Sequence, residues 1–184
     1  MRMRLTWIAV ALVLALGLAS AASAQYTDER RSPIGLGLSV FVPTDSTLSD
    51  ISSTWLGPVL QWNARFDRFD RPDLIVSVGW FAEDNQFEKA SFFPISATYL
   101  KRIGEEAENT WYYGGGLGIN FVEYERRFPF PQIDESSTEI GIHVVGGREF
   151  QGGWFGELRY DFGGSAGGAD FNGFMLSVGT RLVL

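Results

Sequence analysis

Side chains able to act as nucleophiles, general acids or metal ligands are few in this sequence and poorly spaced for those roles. There is one histidine, His143, and no cysteine. The residues that follow the histidine, Val144 and Val145, supply neither a hydroxyl nor a carboxylate. Metal sites need histidine, cysteine or carboxylate in tight clusters, whereas the carboxylates here scatter among turns. No metal or cofactor is therefore expected. Residues 114–118 read Gly-Gly-Gly-Leu-Gly, superficially a phosphate loop, but the lysine and helix of that motif are missing. Asp161-Phe162-Gly163 matches a kinase tripeptide without any of its companion motifs. Catalysis is not expected, and His143 reads as a hydrogen-bonded interior histidine.

The elements that must position these residues are strands. In the last stretch Phe174, Leu176, Val178, Thr180, Leu182 and Leu184 fall on one side of an extended chain. Gly173, Met175, Ser177, Gly179, Arg181 and Val183 fall on the other. The same period of two runs from residue 34 almost to the end. Ile34, Leu36, Leu38 and Val40 open the first strand, and Leu56, Leu60 and Trp62 mark the second. Leu74, Val76, Val78 and Trp80 mark the third, Phe93, Ile95, Ala97 and Tyr99 the fourth. Trp111, Tyr113, Leu117, Ile119 and Phe121 carry the fifth, Ile140, Ile142 and Val144 the sixth, and Trp154, Leu158, Tyr160 and Phe162 the seventh. Polar turns are expected at residues 67–73, 84–90 and 101–110, with the longest loop at 123–138. Pro58 is expected at a strand start or a bulge.

The N-terminus carries Arg2 and Arg4, an apolar run over residues 5–18 and the A-x-A pattern Ala22-Ser23-Ala24. That is the pattern of a cleaved secretory signal peptide over residues 1–24; an uncleaved anchor is the alternative. A short periplasmic lead, 25–32, and one domain, 33–184, complete the expected organisation. The formal charge is −7, and loss of Arg2 and Arg4 makes the mature chain more acidic, which argues against nucleic acid as a partner. Only two lysines occur, Lys89 and Lys101, although soluble β-proteins spread lysine over exposed faces and edges.

Alternation also suits a soluble sandwich, but two features favour lipid. The apolar face has no charge on any of the eight strands, and aromatics recur near strand ends. The opposite face is rich in glycine and serine, which fits a narrow lumen better than a solvent-facing surface. The expected fold is an all-β, eight-stranded antiparallel up-and-down transmembrane β-barrel. With its signal peptide, eight alternating strands, glycine-rich 114–118 strand and final strand, the chain resembles the small outer-membrane β-barrels, the group of outer-membrane proteins A, X and W. The resemblance implies a bacterial outer-membrane location with both termini periplasmic, and outer-membrane lipid as a partner. It also implies insertion by the barrel-assembly machinery, which in that group reads a terminal aromatic where this chain has Leu184. Some barrels of this kind are lipid-A acylases or deacylases. Here the single histidine has no serine two positions away and faces inward, and no loop contains one. A monomer with a structural or interaction role is expected.

Two sets of residues stand out as candidate sites. The inward phase collects Arg65, Glu139, His143, Glu157, Arg159, Asp161 and Arg181, expected to form a polar plug centred on Arg159, because unpaired charges in a lumen are costly. A thin water-filled pore is the alternative. In the longest loop, Arg126, Arg127, Phe128 and Phe130 form either a possible extracellular contact site or a cover folded over the rim. A narrow channel for small apolar solutes and a secreted, lipocalin-like ligand-binding barrel are the rival functions.

Overall fold

The computed structural model describes residues 34–63, 73–103, 109–127 and 131–182. The expected signal peptide and lead, and Arg65, Phe128 and Phe130, lie outside the described residues. The strands are β1 (Ile34–Pro43), β2 (Trp55–Asn63), β3 (Asp73–Gly79), β4 (Phe81–Asp84), β5 (Glu88–Ile103), β6 (Trp111–Arg126), β7 (Ile133–Glu149), β8 (Trp154–Phe162), β9 (Ser165–Ala166), β10 (Ala169–Asp170) and β11 (Gly173–Leu182). One short helix, α1 (Ser46–Ile51), follows β1.

All pairings in the main sheet are antiparallel, in the order β3-β2-β1-β11-β8-β7-β6-β5-β4, and β3 also pairs with β5. The last two strands of that list, β5 and β4, thereby return to the first, and the sheet is a closed barrel. β3 and β4 are two halves of one barrel strand, so the barrel has eight. The break at Trp80 has a local cause. The register Val59↔Gly79 sets Pro58 beside Trp80, and Val78↔Ile95 sets Pro94 beside Gly79. Proline has no N–H to give to a ladder, so the third strand loses a donor on both flanks at one point. Pro58 thus lies within β2, opposite a break, rather than at its start.

The alternation sorts the side chains by face. Leu56, Leu60, Trp62, Trp80, Tyr99, Trp111, Leu117 and Trp154 are all exposed on the outside, whereas their neighbours in sequence are buried or half-buried inside. An apolar outer face excludes the lipocalin-like arrangement, in which that face would line the interior.

Three expected loops are shortened by the structure: the first, 84–90, gives up residues 88–90 to β5. β5 continues to Ile103, so residues 101–103 are strand rather than turn. β6 and β7 extend to Arg126 and from Ile133, so most of the expected 123–138 loop is a long hairpin. The outward residues of that hairpin change from Phe121 and Ile140 to Glu123, Glu125, Asp134 and Ser136, and polar alternation is a weak strand signal by sequence. The loop after β1 holds α1, started by Asp45, whose carboxylate accepts from the amides of Thr47 and Leu48.

Gly116 shows how tightly the strands approach one another. A Cβ there would lie 2.0 Å from the Ala97 carbonyl oxygen and 2.7 Å from Cε1 of His143. Gly116→Ala must push apart β5 and β6 or expel the imidazole. It is expected to cost about 1–3 kcal/mol, read as a lower midpoint of urea unfolding in detergent.

Candidate functional site: the lumen and the loop-bearing rim

Inward-facing side chains fill the barrel in layers. Nearest the end where β1 starts and β11 finishes, Asp73, Arg102, Glu149 and Arg181 form a chain of ion pairs. The Nε of Arg102 donates to Asp73 at 2.7 Å, Nη1 of Arg102 contacts Glu149, and Arg181 Nε donates to the other oxygen of Glu149 at 2.7 Å. Strands β3, β5, β7 and β11 are thereby tied together. Asp73, Arg102 and Glu149 are not in the sequence-derived set because Asp73 and Arg102 fall in segments read as turns. Once β5 is seen to continue past Leu100, Arg102 takes the inward phase.

In the middle layer Arg159 reaches across the lumen. Its Nε donates to Asp161 Oδ1 at 2.9 Å, and Nη2 contacts the same oxygen. Its Nη1 donates to Ser96 Oγ at 2.8 Å and to Ser77 Oγ at 3.4 Å, and these two hydroxyls lie 2.7 Å apart. β8 is not a neighbour of β3 or β5, so the arginine braces opposite walls. Glu157 does not pair with Arg159. It accepts from Gln61 Nε2 at 2.7 Å and from the Tyr112 hydroxyl at 2.8 Å, groups on β2 and β6. His143 Nε2 and Thr98 Oγ1 lie 2.8 Å apart, across the glycine track of β6. His143 and Asp161 are register partners on β7 and β8, but the Asp161 carboxylate is held by Arg159. A cavity of about 20 Å³ remains beside Gln61, Ser77, Thr98, Glu157 and Arg159, large enough for roughly one water molecule. Glu139 lies higher, at the loop end, with Ser137 donating to it.

The layer nearest the loops is apolar, a cluster absent from the sequence-derived set. Phe41, Trp55, Phe81, Phe92 and Phe171 are fully buried there with Tyr124. Phe92 is the hub: its ring centroid lies 5.2 Å from that of Phe41 and 5.9 Å from that of Phe171. Leu48 and Ile51 of α1 and Ala166 and Ala169 of the β9–β10 hairpin close over the rings. Strand phase places Phe41 and Phe81 inward. Nothing in the sequence shows that Phe171 or a helical Leu48 meets them.

Outside the apolar band, the candidate contact arginines are engaged. Arg126 Nε lies 3.0 Å from Glu88 Oε1, and Arg127 Nε lies 2.7 Å from Glu125 Oε1. The Tyr124 hydroxyl donates to Glu88 at 2.6 Å and accepts from Arg126 Nη2 at 2.8 Å. Burial, and then the hydrogen bond to Glu88, push this phenol from its ordinary 10.0 up to about 12. Among the described residues no group of three or more histidines, cysteines and carboxylates is placed to hold a metal ion. No helix among them is long and apolar enough to cross a membrane; the outward apolar band belongs to strands.

Solved structures share this architecture. The chain has the fold of the small outer-membrane β-barrels. It is similar to Neisserial surface protein A at a TM-score of 0.65 and 14% identity, covering 85% of this chain and 100% of that one. Ail, the attachment invasion locus protein of Yersinia pestis, matches at 0.57 and 16%, over 84% of this chain and 100% of its own. The N-terminal barrel domain of Pseudomonas aeruginosa OprF matches at 0.51 and 12%, over 83% and 100%. No protein-family model and no curated protein matches the sequence.

Two measurements test these layers. Arg159→Ala leaves the buried Asp161 carboxylate without its cation and is expected to cost about 3–5 kcal/mol, lowering the melting temperature in detergent. Adding Asp161→Ala should recover part of that loss, because the orphaned charge goes with it. At the rim, the raised Tyr124 pKa means stability that is complete below pH 10 and is lost as pH rises through 12. The phenolate absorbance of wild type minus Tyr124→Phe should show a late-titrating tyrosine, and Glu88→Gln should lower its midpoint.

Proposed function

We propose that the chain is a small bacterial outer-membrane barrel with a structural or interaction role, a lumen closed to ions and no enzymatic step. The observation that carries this reading is the pairing of a continuous apolar outer face with a lumen filled by side chains at three levels. Lipid requires every backbone polar group in the span to be satisfied internally, which a closed barrel achieves. Hydrogen bonds span the lumen at Arg159 and Glu157, below a cap of aromatic rings.

Both termini face the periplasm in this reading, because an eight-stranded barrel returns the chain to its starting side. The turn at Gln151–Gly153 is short, as periplasmic turns are, while α1, the β6–β7 hairpin and the β9–β10 hairpin stand at the outer end. Outer-membrane lipid is the surrounding partner, the barrel-assembly machinery inserts the chain, and it works as a monomer. The outer end is where an interaction role would be exercised. Arg126 and Arg127 are already neutralised by glutamates, so it is the hairpin as a body, rather than free arginines, that meets a partner.

Cell fractionation is expected to recover the protein in detergent-extracted outer membranes, and recovery in the soluble periplasm would overturn the assignment. Purified protein in planar bilayers should show no steady conductance; a stable open channel would favour the rival channel function. Protease added to intact cells should cut at the α1 loop or the β6–β7 hairpin and spare the turn at Gln151–Gly153.

A further inference from the structure

β7 has a neighbour on both sides only along part of its length. β6 accompanies it from Ile133 to Arg148, in the register Arg126↔Ile133 through Trp111↔Arg148. β8 accompanies it only from Ile142 to Glu149. Among the described residues, 133–139 therefore have one ladder and one open edge. The chain leaving β8 runs beside Gly141 and over Glu139 and then turns away from the rest of that edge. Gly163 is held by Asn172 and Asn120, and Phe171 N–H donates to the Gly164 carbonyl, which turns the segment over the lumen. The β9–β10 hairpin then packs on the inner side of the sheet, where a Cβ on Gly167 would meet the Tyr124 ring at 2.5 Å and Ile133 at 3.2 Å. Ile140, at 81% exposure the most accessible of the large apolar residues, marks where the β8 side is vacated.

An open edge presents a row of N–H and C=O groups that another extended chain can pair with. The side chains along this one determine which chain. Asp134 and Glu135 are exposed on opposite faces of the strand, and the opposing β6 residue of Asp134 is Glu125. The three cations at this rim among the described residues, Lys89, Arg126 and Arg127, are each already beside a glutamate. A second copy of the same edge would set acid against acid, which disfavours self-pairing. We propose that the outer, unpaired half of β7 accepts an added β-strand from an extended, lysine- or arginine-rich polypeptide segment. That such a segment would come from outside the cell rests on the orientation argued above; the edge itself does not.

The test uses purified full-length barrel in zwitterionic detergent and a fluorescent peptide of alternating lysine and threonine, read by anisotropy. Two probes accompany it: the same peptide N-methylated at alternate amides, which keeps the charge but loses the ladder, and a peptide with glutamate in place of lysine. The lysine peptide should bind and slow amide exchange in residues 133–139. N-methylation should weaken binding by about tenfold or more, and so should the D134K/E135K variant. Equal binding of the methylated or glutamate peptide, or no binding of the lysine peptide, would overturn the proposal. So would a dimer of the protein alone that D134K/E135K disrupts. These outcomes are independent of the protease experiment on intact cells, so a wrong orientation and an inert edge can be told apart.

Discussion

Every other feature of this molecule depends on the hydrogen-bonded seam between β1 and β11. Ten consecutive residues of each are in register, from Ile34↔Leu182 to Pro43↔Gly173. Without that seam the sheet would present two unpaired edges to an apolar surround, and each unsatisfied backbone group there costs several kcal/mol. With it, one face of every strand is committed to the outside and the other to a narrow interior. The narrowness follows from the strand number, and the inner side chains must then fit one another.

The interior meets that demand in two chemically different ways. Where the lumen holds charge, two of the ions are tied to strands that are not their neighbours: Arg159 to Ser77 and Ser96, and Glu157 to Gln61 and Tyr112. Such contacts hold opposite walls at a set distance and compensate the desolvation of the ions that make them. Beneath the loops the filling is aromatic, and there the binding is non-directional burial. The two regimes meet near the Arg159 level, where Met175, the β11 register partner of Arg159, already belongs to the aromatic cluster. Glycines make the polar regime possible: His143 and Thr98 approach each other over Gly116, whose missing side chain leaves the room.

At the loop-bearing end the constraint of closure relaxes. β6 and β7 continue beyond the apolar band with polar residues on the outer face, and β7 loses its neighbour on one side. Water can hydrate the open edge there, so the structure tolerates it, and acidic side chains discourage identical copies from pairing along it.

Most of the architecture was legible in the sequence because alternation with a period of two is a local property. Once Leu36, Leu60, Val76, Tyr99, Leu117, Val144, Leu158 and Leu176 share an apolar face and no charge interrupts it, a barrel with lipid outside is a short step. The inward phase of Arg159, Asp161 and His143 follows from the same count. Strand limits were less legible: past Leu100 the chain reads Lys-Arg before Ile103, past Phe121 the outward residues turn polar, and a charged strand end looks like a loop. Pairings across the lumen were not legible at all. They depend on strand register and stagger, which set which of many inward groups stand at one height, so the sequence shows Glu157 beside Arg159 in the chain while the fold gives Glu157 to Tyr112. The aromatic cap is decided in the same way, because Phe41, Phe92 and Phe171 come from distant segments and share one layer only after the barrel has closed.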